Sequence, residues 1–424
     1  MNAVAKNQQT WLQALRTEAL TQFAAQGFPS PRAEEWRYTN VSAIEKKRFL
    51  PVSESQTAVD VSDILTAYQL KDAWSLVLVD GQFRADLSAL DGLPEALTVM
   101  SMANALDSEA ETLQRTLGQA VSAMEHGFVA FNTAHFTDGL FVRIAAKQVL
   151  TKPIQVLHIA TQADSLTATR TVIIAEKMAE AELVETFVGV DNSYLSAAVT
   201  EVFVEDNAAV TLTKVQCEAD KAYHFGGTYV KQARNARFTH HNFAFGSLLA
   251  RSDIHSDLED AAECELNGLY LGAKRQHLDN HTRINHNKPH GISRELYKGI
   301  LDDRARGVFQ GRVIVAEDAQ KTDSTMNNRN LLLSADAEAD TKPQLEIYAD
   351  DVKCGHGVTV GQLDDKSIFY LQSRAIDEET ARNILTFAFA NEMVNKINIS
   401  ALHNLVLAEV LKRFPQQGIE QDLL

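Results

Sequence analysis

Hydrophobic spacing changes twice along this 424-residue chain and divides it into three parts. Trp11, Leu15, Ala19 and Phe23 recur at four-residue steps and are followed by Gly27, Pro29 and Pro31, which predicts an amphipathic helix and its stop. Further helix-like stretches follow PRAEEWRYTN (31–40), and LVLVDGQF (76–83) reads as a short strand and turn, so residues 1–145 are expected to form a mostly helical domain. From 146 to 370 β-branched residues alternate with polar ones in many short runs, among them IQVLHIA, RTVIIA, AAVTLTKVQC, ARFTHHNFAFG and GVFQGRVIVA, and helical periodicity almost vanishes. Beyond Arg374 helix returns: Asp377 is an N-cap candidate for DEETARNILTFAFANEMVNKI, with Ile384, Phe387 and Met393 among its apolar positions. SALHNLVLAEVLKRF follows as a second amphipathic segment, and 371–424 are expected to be a helical domain.

Strands in succession without crossover helices fit a sandwich, a barrel or a parallel β-solenoid. Acidic pairs at Glu205-Asp206, Glu259-Asp260, Glu317-Asp318 and Asp350-Asp351 each precede a new strand, as though one corner were reused. The spacing is uneven, yet reuse suits stacked coils, and hairpin dipeptides are sparse. The expected fold is therefore mainly β, a parallel solenoid core flanked by helical domains. The terminal helices carry two readings: they close the end of the solenoid, or they offer a docking surface.

Composition narrows the function classes. The 56 acidic residues against 40 basic ones give a formal net charge of −16, which repels nucleic-acid phosphates and anionic lipid surfaces. Three cysteines exclude a disulfide framework and suit a reducing compartment. The first twenty residues have no apolar signal core and no stretch reaches membrane-spanning length, so a cytoplasmic location is expected.

DDVKCGHGVTVGQLDD (350–365) holds a candidate half-site, because Cys354 and His356 on one strand would point to the same side. Sulfur and imidazole suit iron or zinc, but about four ligands are needed and no other Cys or His lies nearby in sequence. The spacing alone leaves two readings, a ligand pair completed from elsewhere or a buried thiol beside a turn histidine. Cys217 and Cys264 sit in strand patterns and read as core. His277, His281, His286 and His290 offer a second set; the first two share one strand face, the last two the other, unless Pro289 bends the chain. They support a free-standing metal-dependent solenoid enzyme acting on a sugar or acyl substrate, or simply stacked polar side chains. The sequence has no G-x-x-x-x-G-K-[ST], no G-x-S-x-G and no helical H-E-x-x-H; GHGVTVG has the wrong spacing for a dinucleotide fingerprint.

Three motifs in order, PRAEEWRYTN, HTRINHNKPHGISRELYKGIL (281–301) and PQLEIYADDVKCGHGVTVGQLDDKSIFYLQSR (343–374), resemble the SufD family of Suf iron–sulfur cluster assembly subunits along nearly the whole chain. The central motif is shared with the paralogous SufB family, whose members are generally longer and richer in cysteine. The resemblance implies a right-handed parallel β-helix with helical flanks and a non-catalytic subunit. It implies a SufB partner joined through the β-helices, a SufC ATPase bound by the C-terminal helices, and self-pairing when isolated. It also implies that Cys354 and His356 lie at the SufB interface as ligands of iron or a transient iron–sulfur cluster shared with SufB. No intrinsic cofactor is expected, and no flavin motif is visible. Gly355 stands where relatives more often carry a small polar residue.

Overall fold

In the computed structural model, residues 3–52 and 59–413 are described. Two ten-stranded sheets face each other, and from Asp138 onward successive strands fall alternately into one and then the other. The first sheet runs through Asp138–Ile144, Ser165–Ala175, Leu195–Val204, Tyr223–Gln232, Leu249–Leu258, His277–His286, Arg306–Val315 and Glu338–Ile347. The second runs through Ile154–Ala160, Glu180–Gly189, Ala209–Gln216, Arg237–Ala244, Glu263–Gly272, Ile292–Leu301, Asp323–Leu332 and Lys353–Gly361. Neighbours in each of these series pair in parallel, so the chain is a mainly β solenoid of about eight turns with helices at both ends.

Period-2 alternation produces this coil because each strand sends every second side chain inward. Within Leu249–Leu258, for example, Ala250, Ile254 and Leu258 enter the core while Arg251 and Asp253 face out beneath the N-terminal layer. The same corner is reused at two of the four acidic pairs, but not at Glu317-Asp318, where the turn closes from Ala319 to Ala316, nor at Asp350-Asp351. At 205–208 and 259–262 the fourth residue's N–H donates to the first residue's carbonyl, with Asn207 and Ala261 left-handed at φ 59° and 52°. The closing Ala208 and Ala262 are fully buried, which explains the small residue there. The same turn recurs at 233–236 without any acidic pair, so the turn rather than its charge is the repeating unit.

The N-terminal helices Ala3–Gln26 and Gly127–His135 belong to a layer on the outer face of the first sheet. Its aromatic core stacks Trp36 on Phe128 and Phe128 on Phe225, with centroids 5.4 and 4.7 Å apart. Gly127 is required where these helices meet, since a Cβ would lie 1.9 Å from the Gly27 carbonyl oxygen. The hairpin expected at 76–83 is present, Trp74–Val79 with Gln82–Phe83.

The C-terminal helices Glu378–Val394 and Ser400–Leu411 lie along the outer face of the second sheet, not across the end of the solenoid. Phe387, Ala390, Met393, Val406 and Val410 cover Phe243, Phe245, Leu269, Ile300 and Leu331. Asp377 caps the first of these helices by accepting from the Thr380 N–H at 2.9 Å. Lys298 and Lys396 reach across to pin the layer: Lys298 donates to Glu392 at 2.5 Å, and Lys396 donates to Glu265 at 2.8 Å. The reading in which these helices close the solenoid is thus corrected, because their apolar faces match an outer sheet face. No helix among the described residues is long and apolar enough to cross a membrane.

Candidate functional site

Because Glu378–Val394 and Ser400–Leu411 lie to one side, the last coil has no further coil stacked on it among the described residues. Glu338–Ile347 and Lys353–Gly361 end their respective sheets, and each leaves one edge without a strand neighbour among the described residues. Ile347, Val358 and Val360 are exposed along that coil. Unpaired edges beside exposed apolar side chains form a surface that another chain can extend.

Cys354 and His356 lie on this final strand. Cys354 pairs in register with Ser324, and His356 with Met326. Met326 is in the solenoid core and Cys354 packs against that core, so both positions belong to the inward-facing row. Cys354 is half-buried and His356 exposed, since no further coil covers them among the described residues. Burial pushes the Cys354 thiol above its usual range; a backbone hydrogen bond from Ser324 opposes this and the charge of Asp323 adds to it. Among the described residues no group of three or more Cys, His, Asp or Glu side chains is placed to hold a metal ion. The pair is soft enough for iron or zinc but supplies only part of a coordination shell.

Rows of registered residues run inward from this edge. One row is Cys264, Ser293, Ser324 and Cys354, and the next is Leu266, Glu295, Met326 and His356. In the first row the Ser293 and Ser324 hydroxyls lie 2.8 Å apart, and His286 Nε2 lies 2.9 Å from the Ser293 hydroxyl. In the second, burial raises the Glu295 carboxyl to about 8. Sequence reasoning missed Ser293, Ser324 and Glu295, because coil lengths differ and only the register brings them into line with the final strand.

The four histidines His277, His281, His286 and His290 do not meet. His277 and His281 face outward under the N-terminal layer, where His277 Nε2 lies 2.9 Å from the Thr39 hydroxyl and His281 is buried near Asp253 and Asp279. His286 faces inward, on the opposite side of its strand as the odd spacing predicted, and His290 occupies an exposed corner at φ 63°. This separation removes the geometric basis for a metal-dependent enzyme built on them. Cys264 is buried in the core, its thiol pushed up to about 12 by burial. Cys217 is half-buried against the C-terminal helices.

PRAEEWRYTN instead meets the outer face of the first sheet. Thr39 donates to Asp279 at 2.6 Å, and Arg251 donates to the Glu35 carbonyl at 2.9 Å and to both Asp253 and Asp279. Their role is to seat the N-terminal layer on the solenoid.

Comparison with known proteins agrees with this architecture. Residues 158–389 match the profile of the SUF system FeS cluster assembly SufBD core domain, and residues 1–156 match the SufBD protein N-terminal region. The chain is 31% identical to the iron–sulfur cluster assembly protein SufD of Escherichia coli over 93% of its own length and 92% of that protein's. It is 33% identical to an iron–sulfur cluster assembly SufBD family protein of Synechocystis, over 88% and 85% of the two chains. The SufD protein of Bacillus subtilis is 24% identical over 95% and 94%. The chain belongs to the SufBD family and is an iron–sulfur cluster assembly protein of the SufD type.

Proposed function

We propose that this protein is the non-catalytic scaffold partner of a SufB chain and a SufC ATPase, and that its last coil supplies part of a site where a nascent iron–sulfur cluster is built. The observation that carries this reading is the position of Cys354 and His356, on a final strand that has one edge without a strand neighbour among the described residues. Two ligands of the right softness at an extendable edge suit a site whose other ligands come from a second chain. The cluster is then cargo, held while the interface is occupied and passed on when it opens. The ATPase docks on the C-terminal helices and drives opening, which requires nucleotide to favour the open arrangement by a few kcal/mol, on the order of the population shifts of other two-state switches. The cytoplasm, where thiols stay reduced, is the compartment that suits such a cargo.

The test uses the complex reconstituted anaerobically with candidate SufB and SufC chains. Cys354→Ser and His356→Ala are expected to reduce iron and sulfide incorporation while leaving co-elution of the three chains intact. Full incorporation by both variants removes the ligand reading and leaves the scaffold; failure of the unaltered chain to co-elute removes the scaffold.

A further inference from the structure

The first coils of the solenoid hold a small polar cavity. Its volume is about 10 Å³, and His158, Thr167, Thr169, Ser196 and Glu218 line it, with Gly81 beside them. Thr167 stands in register with Ser196 on the first sheet, and His158 with Phe187 on the second, so both sheets contribute to the wall. His158, Thr169, Ser196 and Glu218 are all buried. Gly81 takes φ 78° in the turn between Trp74–Val79 and Gln82–Phe83, and a Cβ there would lie 3.6 and 3.8 Å from the methyl carbons of Thr167 and Thr169. The hairpin turn therefore sits against these two threonines.

The wall has hydrogen-bonding capacity to spare. Burial pushes His158 down to about 3, so its imidazole is neutral at physiological pH and carries one donor and one acceptor nitrogen. Its ring is stacked on Phe187 with centroids 4.3 Å apart and 8° between the planes, and Nε2 is buried without a hydrogen-bond partner among the described residues. Glu218, by contrast, is well held: Ser196 donates to Oε1 at 2.6 Å, Gln216 donates to Oε2 at 3.0 Å, and His224 Nδ1 lies 2.7 Å from Oε2. Burial acts to raise that carboxyl, but His224 and the donated hydrogen bonds keep it below its usual range. A carboxylate only accepts, so the Ser196 proton is committed to Glu218 and the Ser196 oxygen is left to accept from another group.

We infer that this cavity is a binding site for one water molecule, held between the His158 imidazole and the hydroxyls of Ser196 and Thr169. Size sets the number, since a space of about 10–15 Å³ holds a single water. Chemistry sets the kind. A buried water takes two to four polar partners, and imidazole and hydroxyl groups both give and take hydrogen bonds. Glu218 turns anions away, and an apolar molecule would leave His158 unpaired. The water joins the second sheet, through His158, to the first, through Thr169 and Ser196, beneath the Gly81 turn. The site lies at the opposite end of the solenoid from Cys354 and does not depend on the cluster reading.

The experiment uses crystals of the full-length protein at a resolution where ordered interior waters are distinct. One density peak is expected in the cavity, within about 2.7–3.2 Å of a His158 ring nitrogen and of the Ser196 or Thr169 hydroxyl. An empty cavity beside well-defined waters elsewhere in the interior overturns the inference, and so does a peak with anomalous scattering, which marks a chloride or a metal ion. In solution, magnetic relaxation dispersion of the water oxygen counts long-lived internal waters. His158→Phe keeps a ring against Phe187 without a polar nitrogen, and Ala160→Val adds methyl groups to the cavity wall. Each is expected to hold one long-lived water fewer than the unaltered protein. Melting curves identify a variant that fails to fold, and the other then carries the comparison. An unchanged count in a folded variant overturns the site.

Discussion

The Arg251 guanidinium carbon lies 3.6 Å from the centroid of the Trp36 ring, and the same guanidinium donates to Asp253 and Asp279 at 2.8 and 2.9 Å. All four side chains are buried. Arg251 therefore pairs with two interior carboxylates, one of which also meets His126 Nε2 at 2.9 Å, while bridging the N-terminal layer to the sheet. Removing one member of such a group leaves charge stranded in low dielectric, at a cost of about 3–5 kcal/mol. Arg251→Ala is expected to lower stability by that amount in urea unfolding, and Trp36→Ala by a comparable amount through lost packing. A change below 1 kcal/mol in Arg251→Ala would mean that the carboxylates find water or another partner.

Glu295 sets a stability trend with the opposite sign to the usual carboxylate. Burial raises it from 4.5 to about 8, so the folded chain holds a proton that the unfolded chain releases. The folded state binds the extra proton between those two values, and this group removes stability as pH rises from about 4.5 to about 8. Glu295→Gln keeps the shape without the ionisation. It is expected to be more stable than the unaltered protein by roughly 2–4 kcal/mol at pH 7.5, with the advantage shrinking toward pH 5. Urea midpoints across that range check it; a difference that stays flat with pH would mean that Glu295 is ionised in the folded chain.

The strands, two of the four reused corners and the opposite facing of His281 and His286 were legible in the sequence because period 2 and turn chemistry are local, whereas His290 leaves the strand at a corner. Four things were not. Trp36 and Arg251 are separated by most of the N-terminal domain, and no periodicity connects them. The row joining Ser293, Ser324 and Cys354 depends on register, which unequal coil lengths conceal. The amphipathic face of DEETARNILTFAFANEMVNKI announces burial but not its partner: both a solenoid end and a sheet face are apolar, and only the structure distinguishes them. Cys354 and His356 were legible as a pair, while their place on the last uncovered strand was not.

That placement of the C-terminal helices has a consequence for truncation. Deleting residues 375–424 uncovers Phe243, Phe245, Leu269, Leu271, Ile300 and Leu331 on one sheet face. A contiguous patch of this kind is an aggregation surface. The truncated protein is expected to bind a hydrophobic dye and to aggregate on gel filtration, whereas removing a mere end cap would leave the remaining coils soluble. Phe387→Ala within the full chain is a milder version, expected to cost about 3–5 kcal/mol. A monodisperse truncation without dye binding would contradict the lateral packing.

The uncovered edge can be blocked without disturbing the fold. Val358 and Val360 are 38% and 46% exposed on the final strand, in the same alternate set as Cys354 and His356. Lysine on an edge strand opposes pairing, because adding a partner strand would bury its charge. Val358→Lys with Val360→Lys is expected to change the stability of the isolated chain by no more than about 1 kcal/mol, two exposed substitutions of about 0.5 each. The same pair is expected to abolish co-elution with a SufB chain while leaving SufC binding unaffected, since the helices proposed for that contact lie on the outer face of the second sheet. Loss of both partners together would place the two contacts on one surface. Retention of the SufB chain would move that interface away from the last coil and take the proposed shared site with it.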